Sequence, residues 1–226
     1  MRHLLALLLC LPLAAQIIIV VKKPSGAGGT VTYDNTASGG ANSSPLSFNI
    51  TIGSGSNRAV AVGCSFSSSV TGITVTVGGS SATLVSGTQS SGESYISTIH
   101  VLAAPSSGSQ SVSVSWTGTS STYCGAVSAS GVDQATPMNN GTFEHNGSGP
   151  TASVTITTTT GDLTFSVVSC ESGSTPTSPN QTSRWAASQN FTTGSGGQTA
   201  TGTGTISHTW ATGSGWLMSG ANFKHD

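Results

Sequence analysis

From Leu46 to Phe223 the chain keeps returning to short runs in which apolar residues alternate with Ser or Thr. The clearest are Leu46-Phe48-Ile50-Ile52, Val60-Val62-Cys64-Phe66, Ile73-Val75-Val77 and Val112-Val114-Trp116. A period of two sends successive side chains to opposite faces of a pleated strand, so each run predicts one face in a core and a hydroxyl-bearing face in water. Tyr95 to Val101, Tyr123 to Ser130, Val154 to Thr158, Leu163 to Val168, Thr203 to Trp210 and Trp216 to Phe223 follow the same rule. Between the runs stand Gly78-Gly79, Ser106-Ser107-Gly108, Gly118, Asn139-Asn140-Gly141, Asn146-Gly147 and Gly161-Asp162, residues that tolerate the positive φ of tight turns. No stretch carries a helical period. The reading is all-β: a two-sheet antiparallel β-sandwich, jelly-roll-like, of about a dozen strands, with residues 31–226 as one domain. A closed barrel is the alternative.

Charged residues make up 6% of the chain and the net charge is -1. The polar surface therefore comes from Ser, Thr, Asn, Gln and Gly, as in many exported proteins. After Lys23 the only cations apart from His are Arg58, Arg184 and Lys224, too few to track a phosphate backbone, which excludes nucleic acid as a partner. The acids are scattered, so no calcium loop of clustered carboxylates is expected.

The N-terminus has the form of a targeting segment: Arg2, the apolar run Leu4 to Leu11, Pro12, Leu13, then the small pair Ala14 and Ala15. It predicts a signal peptide over 1–15. A signal anchor over 4–21 is the alternative, because apolar character resumes at Ile17 to Val21, although Pro12 and Gln16 argue against a continuous span. Residues 16–30 read as a linker or a first strand. The expected location is secreted, extracellular or cell-surface, with no membrane contact after cleavage.

Export places Cys64, Cys124 and Cys170 in an oxidising compartment, so at most one bridge forms among the three. If Val127 and Ala129 face the core, Cys124 lies on the other face of its strand, and Leu163, Phe165 and Val167 inward put Cys170 outward too. The preferred pair is therefore Cys124 with Cys170, leaving Cys64 as a buried thiol. That all three are packed thiols stays open. No Cys-x-x-Cys occurs.

The segments NRAVAVGCSF (57–66), AVSASGVDQATPM (126–138), GDLTFSVVS (161–169), QTSRW (181–185) and WLMSGANF (216–223) resemble, in this order, a widespread family of secreted bacterial β-sandwich domains. The resemblance covers roughly residues 45–226. It implies fold and export, and the family has no established activity to carry over. The residues read the same way unaided: Gly131-Val132 ends a strand, Asp133 is placed to accept backbone amides ahead of it, and Pro137 stops further pairing.

Motifs for chemistry are missing. There is no Gly-x-Ser-x-Gly elbow and no His-Glu-x-x-His, and Glu144-His145 are neighbours that a strand sends to opposite faces. The histidines are dispersed, and His208, in phase with Ile206, reads as a core imidazole. No catalytic residue, metal or cofactor is assigned. A glycosidase needs two carboxylates across a cleft, and the interior acids lie mostly in turns. Sugar binding on a sandwich uses exposed rings with amides beside them. Trp116 and Trp210 are in phase with core residues, so Trp185 with its neighbour Arg184, and Tyr95 at the opening of a strand, are the candidate ligand-binding residues. The function expected is a non-catalytic extracellular module that binds glycan or cell-surface polymer or acts in adhesion. A structural surface or matrix component without a small ligand is the alternative, and a secreted polysaccharide-active hydrolase is third.

Overall fold

The computed structural model describes residues 29–226 except 86–87, 89–94, 147–148, 171–174, 179–180, 190–192, 202–203, 210 and 212–214. The signal peptide and anchor readings, nearly all of the 16–30 segment, and Trp210 lie outside the described residues. Among the described residues no helix is long and apolar enough to cross a membrane.

The described chain is all-β and antiparallel, as the alternation predicts. Its strands are β1 (Thr32–Ala41), β2 (Leu46–Ile52), β3 (Ala59–Phe66), β4 (Thr71–Val77), β5 (Ser80–Leu84), β6 (Ile96–Ala103), β7 (Gly108–Thr117), β8 (Thr122–Ser130), β9 (Met138–Asn146), β10 (Thr151–Ile156), β11 (Leu163–Cys170), β12 (Thr182–Gln189), β13 (Thr193–Thr201), β14 (Gly204–Thr209) and β15 (Trp216–Phe223). An eight-stranded sheet runs β1-β8-β3-β6-β5-β4-β7-β2, a five-stranded sheet β12-β13-β11-β15-β9, and β10 pairs with β14. The Gly78-Gly79 turn between β4 and β5 has positive φ at both residues, 58° and 81°, which only glycine adopts without cost.

The eight-stranded sheet turns a corner at β5, which pairs with β4 through Val75–Ala82 to Val77–Ser80 and with β6 through Thr83–Val101 and Leu84–His100. Beyond the corner β4, β7 and β2 fold back over β3 and β8, and Val60, Val62, Phe66, Val112, Val114 and Trp116 fill the space between. The terminal strands β1 and β2 come to lie side by side. No ladder joins them among the described residues, so the barrel alternative is not realised.

On its other face the β1-β8-β3-β6 half packs against the five-stranded sheet through Ala59, Ala61, Ile99, Val127, Phe165 and Phe223. A third core, with Val154, Ile156, Val168, Ile206 and Met218, seals β10 and β14 over the far face of that sheet. The sandwich is thus repeated, and the central strands β3, β11 and β15 are buried from end to end. Here the expectation that hydroxyl-bearing faces meet water is corrected: Ser65, Ser97, Ser128, Ser166 and Ser219 are all buried. Some are satisfied by bonds between sheets. Ser219 Oγ stands 2.6 Å from Ser97 Oγ and donates to the Thr88 carbonyl at 2.5 Å.

Double-sided burial also explains the disulfide. Cys64 and Cys124 are register partners on adjacent β3 and β8, with side chains in the same core and Cα atoms 4.2 Å apart, and they are bridged. The expected Cys124–Cys170 pair is therefore corrected. The strand faces were read properly, since Val127, Ala129, Leu163, Phe165 and Val167 do line one core. The side opposite Val127 is a second core, which Cys124 shares with Cys64, while Cys170 points into the third core on another sheet. Cys64, expected as a buried thiol, is buried but oxidised.

Candidate functional site

The structure separates the aromatic residues read as candidates. Trp185 belongs to the core: it is 7% exposed, lies 5.7 Å from the Phe165 ring, and rests on Gly125 of β8 and Gly197 of β13, where any Cβ would overlap the indole. This corrects its assignment as a ligand-binding ring, because neither face of the indole meets solvent. The signal was in Gly125 and Gly197, which leave room for a ring between two sheets, but their partner cannot be known before the register is.

Arg184 is half-buried on a bulge of β12. Its guanidinium lies over the Tyr33 ring, 3.4 Å from the centroid, and its Nε donates to Thr199 Oγ1 at 2.8 Å. Desolvation pulls its pKa below the usual arginine value, with Tyr33 acting the other way. Tyr95 is half-buried just before β6. Tyr33 pairs with Ala129, and so lies in the row of Ala59, whereas Tyr95 precedes Ile96 in the row of Phe66. The two rows are about 25 Å apart along the strands at ~3.3 Å per residue. Tyr95 and Arg184 therefore do not share a site.

Asp133 does what its sequence context predicts. Its Oδ1 accepts from the amides of Ala135 and Thr136 at 2.8 and 2.9 Å, and its Oδ2 takes Lys224 Nζ at 2.9 Å. The Lys224 hydrogen bond, followed by that of the Thr136 amide, holds its carboxyl below the usual range. Asp162 is buried, which alone would raise its pKa. Bonds from Thr159 and His225 outweigh burial and lower it, and Asn222 Nδ2 also donates to its Oδ2 at 2.7 Å. Its Oδ1 takes His225 Nδ1 at 2.8 Å, a carboxylate–imidazole pair that pins the chain end beside the strand bridge of Val132 with His225. His100 and His208 are core residues whose pKa values burial lowers to about 4 and about 3. The adjacent Glu144 and His145 stand exposed on β9, opposite Met218 and Leu217, and so on opposite faces as expected.

The concave site is elsewhere. Where β5 leaves for the corner, the five-stranded sheet overhangs at its edge strand β9, and a cleft of about 650 Å³ opens between β5–β6 and residues 134–141. Val85, Val101 and Met138 give it an apolar floor, and Ser81, Thr83, Gln134, Thr136 and Asn140 a rim of hydroxyls and amides. Among the described residues that line it there is no charged side chain and no aromatic ring.

No protein family model, curated protein or solved structure matches the chain.

Fixed bonds hold one wall of the cleft. Besides the Asp133 turn, Gln134 Nε2 donates to the carbonyls of Val132 and Arg58 at 2.7 and 3.2 Å, and the Lys224 amide donates to the Pro137 carbonyl at 3.1 Å. Gln134 Oε1 and Asn139 Oδ1 are buried with no donor among the described residues. An enclosed water is the partner such an inaccessible oxygen calls for. Sequence reading missed this wall because Asn139-Asn140-Gly141 reads as a turn. The three residues instead lie inside β9, where Asn140 and Gly141 form a bulge opposite Ala221, with Asn140 at φ 51° and its Nδ2 donating to the Thr157 carbonyl at 2.6 Å.

Proposed function

We propose that the chain is a non-catalytic extracellular module that binds a neutral glycan, as part of a cell-surface or adhesive polymer contact, in the cleft beside β9. The observation that carries this reading is the lining itself: an apolar floor rimmed by hydroxyls and amides with no charged group among its described residues. Sugars bury C–H surface while exchanging hydroxyl hydrogen bonds with water for bonds with protein, and such a lining offers both. A charged ligand would leave its own charge without a partner there. The cleft is also preformed, since the Asp133 turn and the Gln134 bonds fix its wall before any ligand arrives, which reduces the ordering cost of binding.

Two further features favour the extracellular, non-catalytic form of the reading. The Cys64–Cys124 bridge suits an oxidising compartment. Of the described side-chain carboxylates, Asp34, Asp133, Asp162 and Asp226 are engaged in hydrogen bonds, and neither these nor Glu144 lines the cleft, whereas glycoside hydrolysis uses two facing carboxyl groups.

The test is retention on a panel of immobilised neutral and charged polysaccharides, comparing the protein with Ala135→Trp. Ala135 is exposed at the cleft and contributes only its amide to the Asp133 turn, so the indole would fill the cleft without loosening the wall. Retention on one or more neutral polymers that Ala135→Trp abolishes, with unchanged thermal stability, is the expected result. Retention that the substitution leaves intact, or retention on charged polymers alone, would refute the reading. Concentration-dependent assembly without any retention would favour the structural-component alternative.

A further inference from the structure

We infer that the cleft selects acetylated sugars, specifically a chain of N-acetylated hexosamine units, over the same chain without acetyl groups; this rests on the neutral-glycan reading above and narrows it. Two properties of the lining point this way. The first is that its apolar part is aliphatic. A sugar ring presents a broad C–H face that packs best on a flat aromatic ring. Here the carbon surface comes from branched or narrow side chains such as Val85, Val101 and Met138, with no described ring among the lining residues. A floor of that shape accepts methyl-sized groups between its side chains more readily than a flat sugar face.

The second property is where polar atoms sit relative to that floor. Thr83 of β5 is the register partner of Val101 and shares its face, Ser81 lies two residues away on that same face, and Asn140 stands exposed at the β9 bulge. An acetamido group has the matching form: a methyl for the aliphatic floor, with a carbonyl and an N–H beside it for side-chain amides and hydroxyls. A free amine in its place would carry a positive charge, and none of the described lining residues is a carboxylate to meet it. A plain hydroxyl would lack the methyl. Removing the acetyl group thus weakens binding in both directions, by lost apolar contact or by an unmatched charge.

The experiment uses three oligosaccharides of equal length and identical β-1,4 linkage, titrated calorimetrically into the full exported protein: N-acetylglucosamine tetramer, glucose tetramer and fully deacetylated glucosamine tetramer. Each methyl withdrawn from water is worth about four-fold in affinity. The acetylated tetramer should therefore bind at least four-fold tighter than the glucose tetramer, and the glucosamine tetramer more weakly than both. In Val101→Thr, which replaces one methyl of the floor with a hydroxyl, the acetylated tetramer should lose more affinity than the glucose tetramer, so that the acetyl preference shrinks.

Equal affinity for the acetylated and glucose tetramers would overturn acetyl selection and leave the neutral-glycan reading standing. Tightest binding of the glucosamine tetramer would overturn both. Failure of all three to bind, with retention on another neutral polysaccharide that Ala135→Trp abolishes, would overturn this inference alone.

Discussion

Replacing Trp185 tests whether its indole is a core element or a recognition element. It fills the space between β12 and β8 against Gly125 and Gly197, and it touches Phe165. Truncating a buried aromatic residue to Ala costs about 3–5 kcal/mol, a large part of the ~5–15 kcal/mol that holds a domain folded. Trp185→Ala should therefore lower the urea midpoint steeply, without changing glycan retention under conditions where the variant is still folded. Gly125→Ala inserts a methyl into the indole and should cost about 1–3 kcal/mol through overpacking. Gly125 has no positive φ, so this cost is steric alone.

The sharper measurement is the double variant. With the indole gone, the Gly125 methyl enters vacated space, and Gly→Ala in a compatible strand stabilises by about 0.4–1 kcal/mol through the unfolded chain. Gly125→Ala should then go from destabilising in the native background to neutral or stabilising in Trp185→Ala, a coupling of about 1–4 kcal/mol. Urea denaturation followed by far-UV circular dichroism reads all four proteins, since that signal does not depend on Trp185. Additive effects, or a Trp185→Ala protein that keeps its stability and loses glycan retention, would refute the reasoning.

Two other predictions follow from the interior. His100 and His208 are buried as neutral rings with pKa values near 4 and 3, while an unfolded histidine titrates near 6.5. Because the folded values are depressed, stability should be full above about pH 7 and fall with acidification, by roughly 2–3 kcal/mol between pH 5.5 and 4.5 when both rings contribute. Chemical denaturation at several pH values checks this, and a flat profile from pH 7 to 4.5 would contradict it. The bridge of Cys64 to Cys124 closes a separation of 60 residues, for which chain entropy gives roughly 4 kcal/mol. Cys64→Ala/Cys124→Ala should lose about that much in urea, and peptide mapping of the native protein should link 64 to 124 while Cys170 alkylates only after unfolding.

Much of the fold was legible because alternation is strong where a strand has an aliphatic face. β2, β3, β4, β7, β11 and β15 all carry such runs. The strands that sequence reading passed over are of another kind. β1 (TYDNTASGGA), β5 (SSATL), β12 (TSRWAASQ) and β13 (TGSGGQTAT) are rich in Ser, Thr and Gly, and β9 (MNNGTFEHN) has the composition of a turn. Their strand state comes from ladders with neighbours: β13 is paired along both edges, by β11 and by β12. Tertiary pairing sets such segments, and local preference has little to say about them. The disulfide and Trp185 were misread for one shared reason. Parity gives the two faces of a strand, but it does not reveal how many sheets are stacked, and in this molecule the face opposite one core is often another core.

The same layering bears on where recognition sits. With the central strands covered on both faces, contact with a partner falls to the edges, and unpaired edges invite unwanted pairing unless something interrupts them. Three of the four strands that end the two larger sheets carry an irregularity: β1 between Tyr33 and Asn35, β12 between Ser183 and Trp185, and β9 opposite Gly220 to Asn222. At the first the displaced residue is Asp34, engaged with Gly53 and Ser128, and at the second it is Arg184, laid over Tyr33. Both put a charged residue at the break in an edge strand. At the third the chain inserts uncharged Asn140 and Gly141, and there the cleft opens. A bulge at β9 breaks the ladder as the others do, but without a charge it leaves the edge open to neutral, hydrogen-bonding ligands. The proposal therefore places the glycan at β9 and not at β1 or β12, and a charge introduced by Asn140→Asp should weaken retention on a neutral polymer while Asp34→Asn does not.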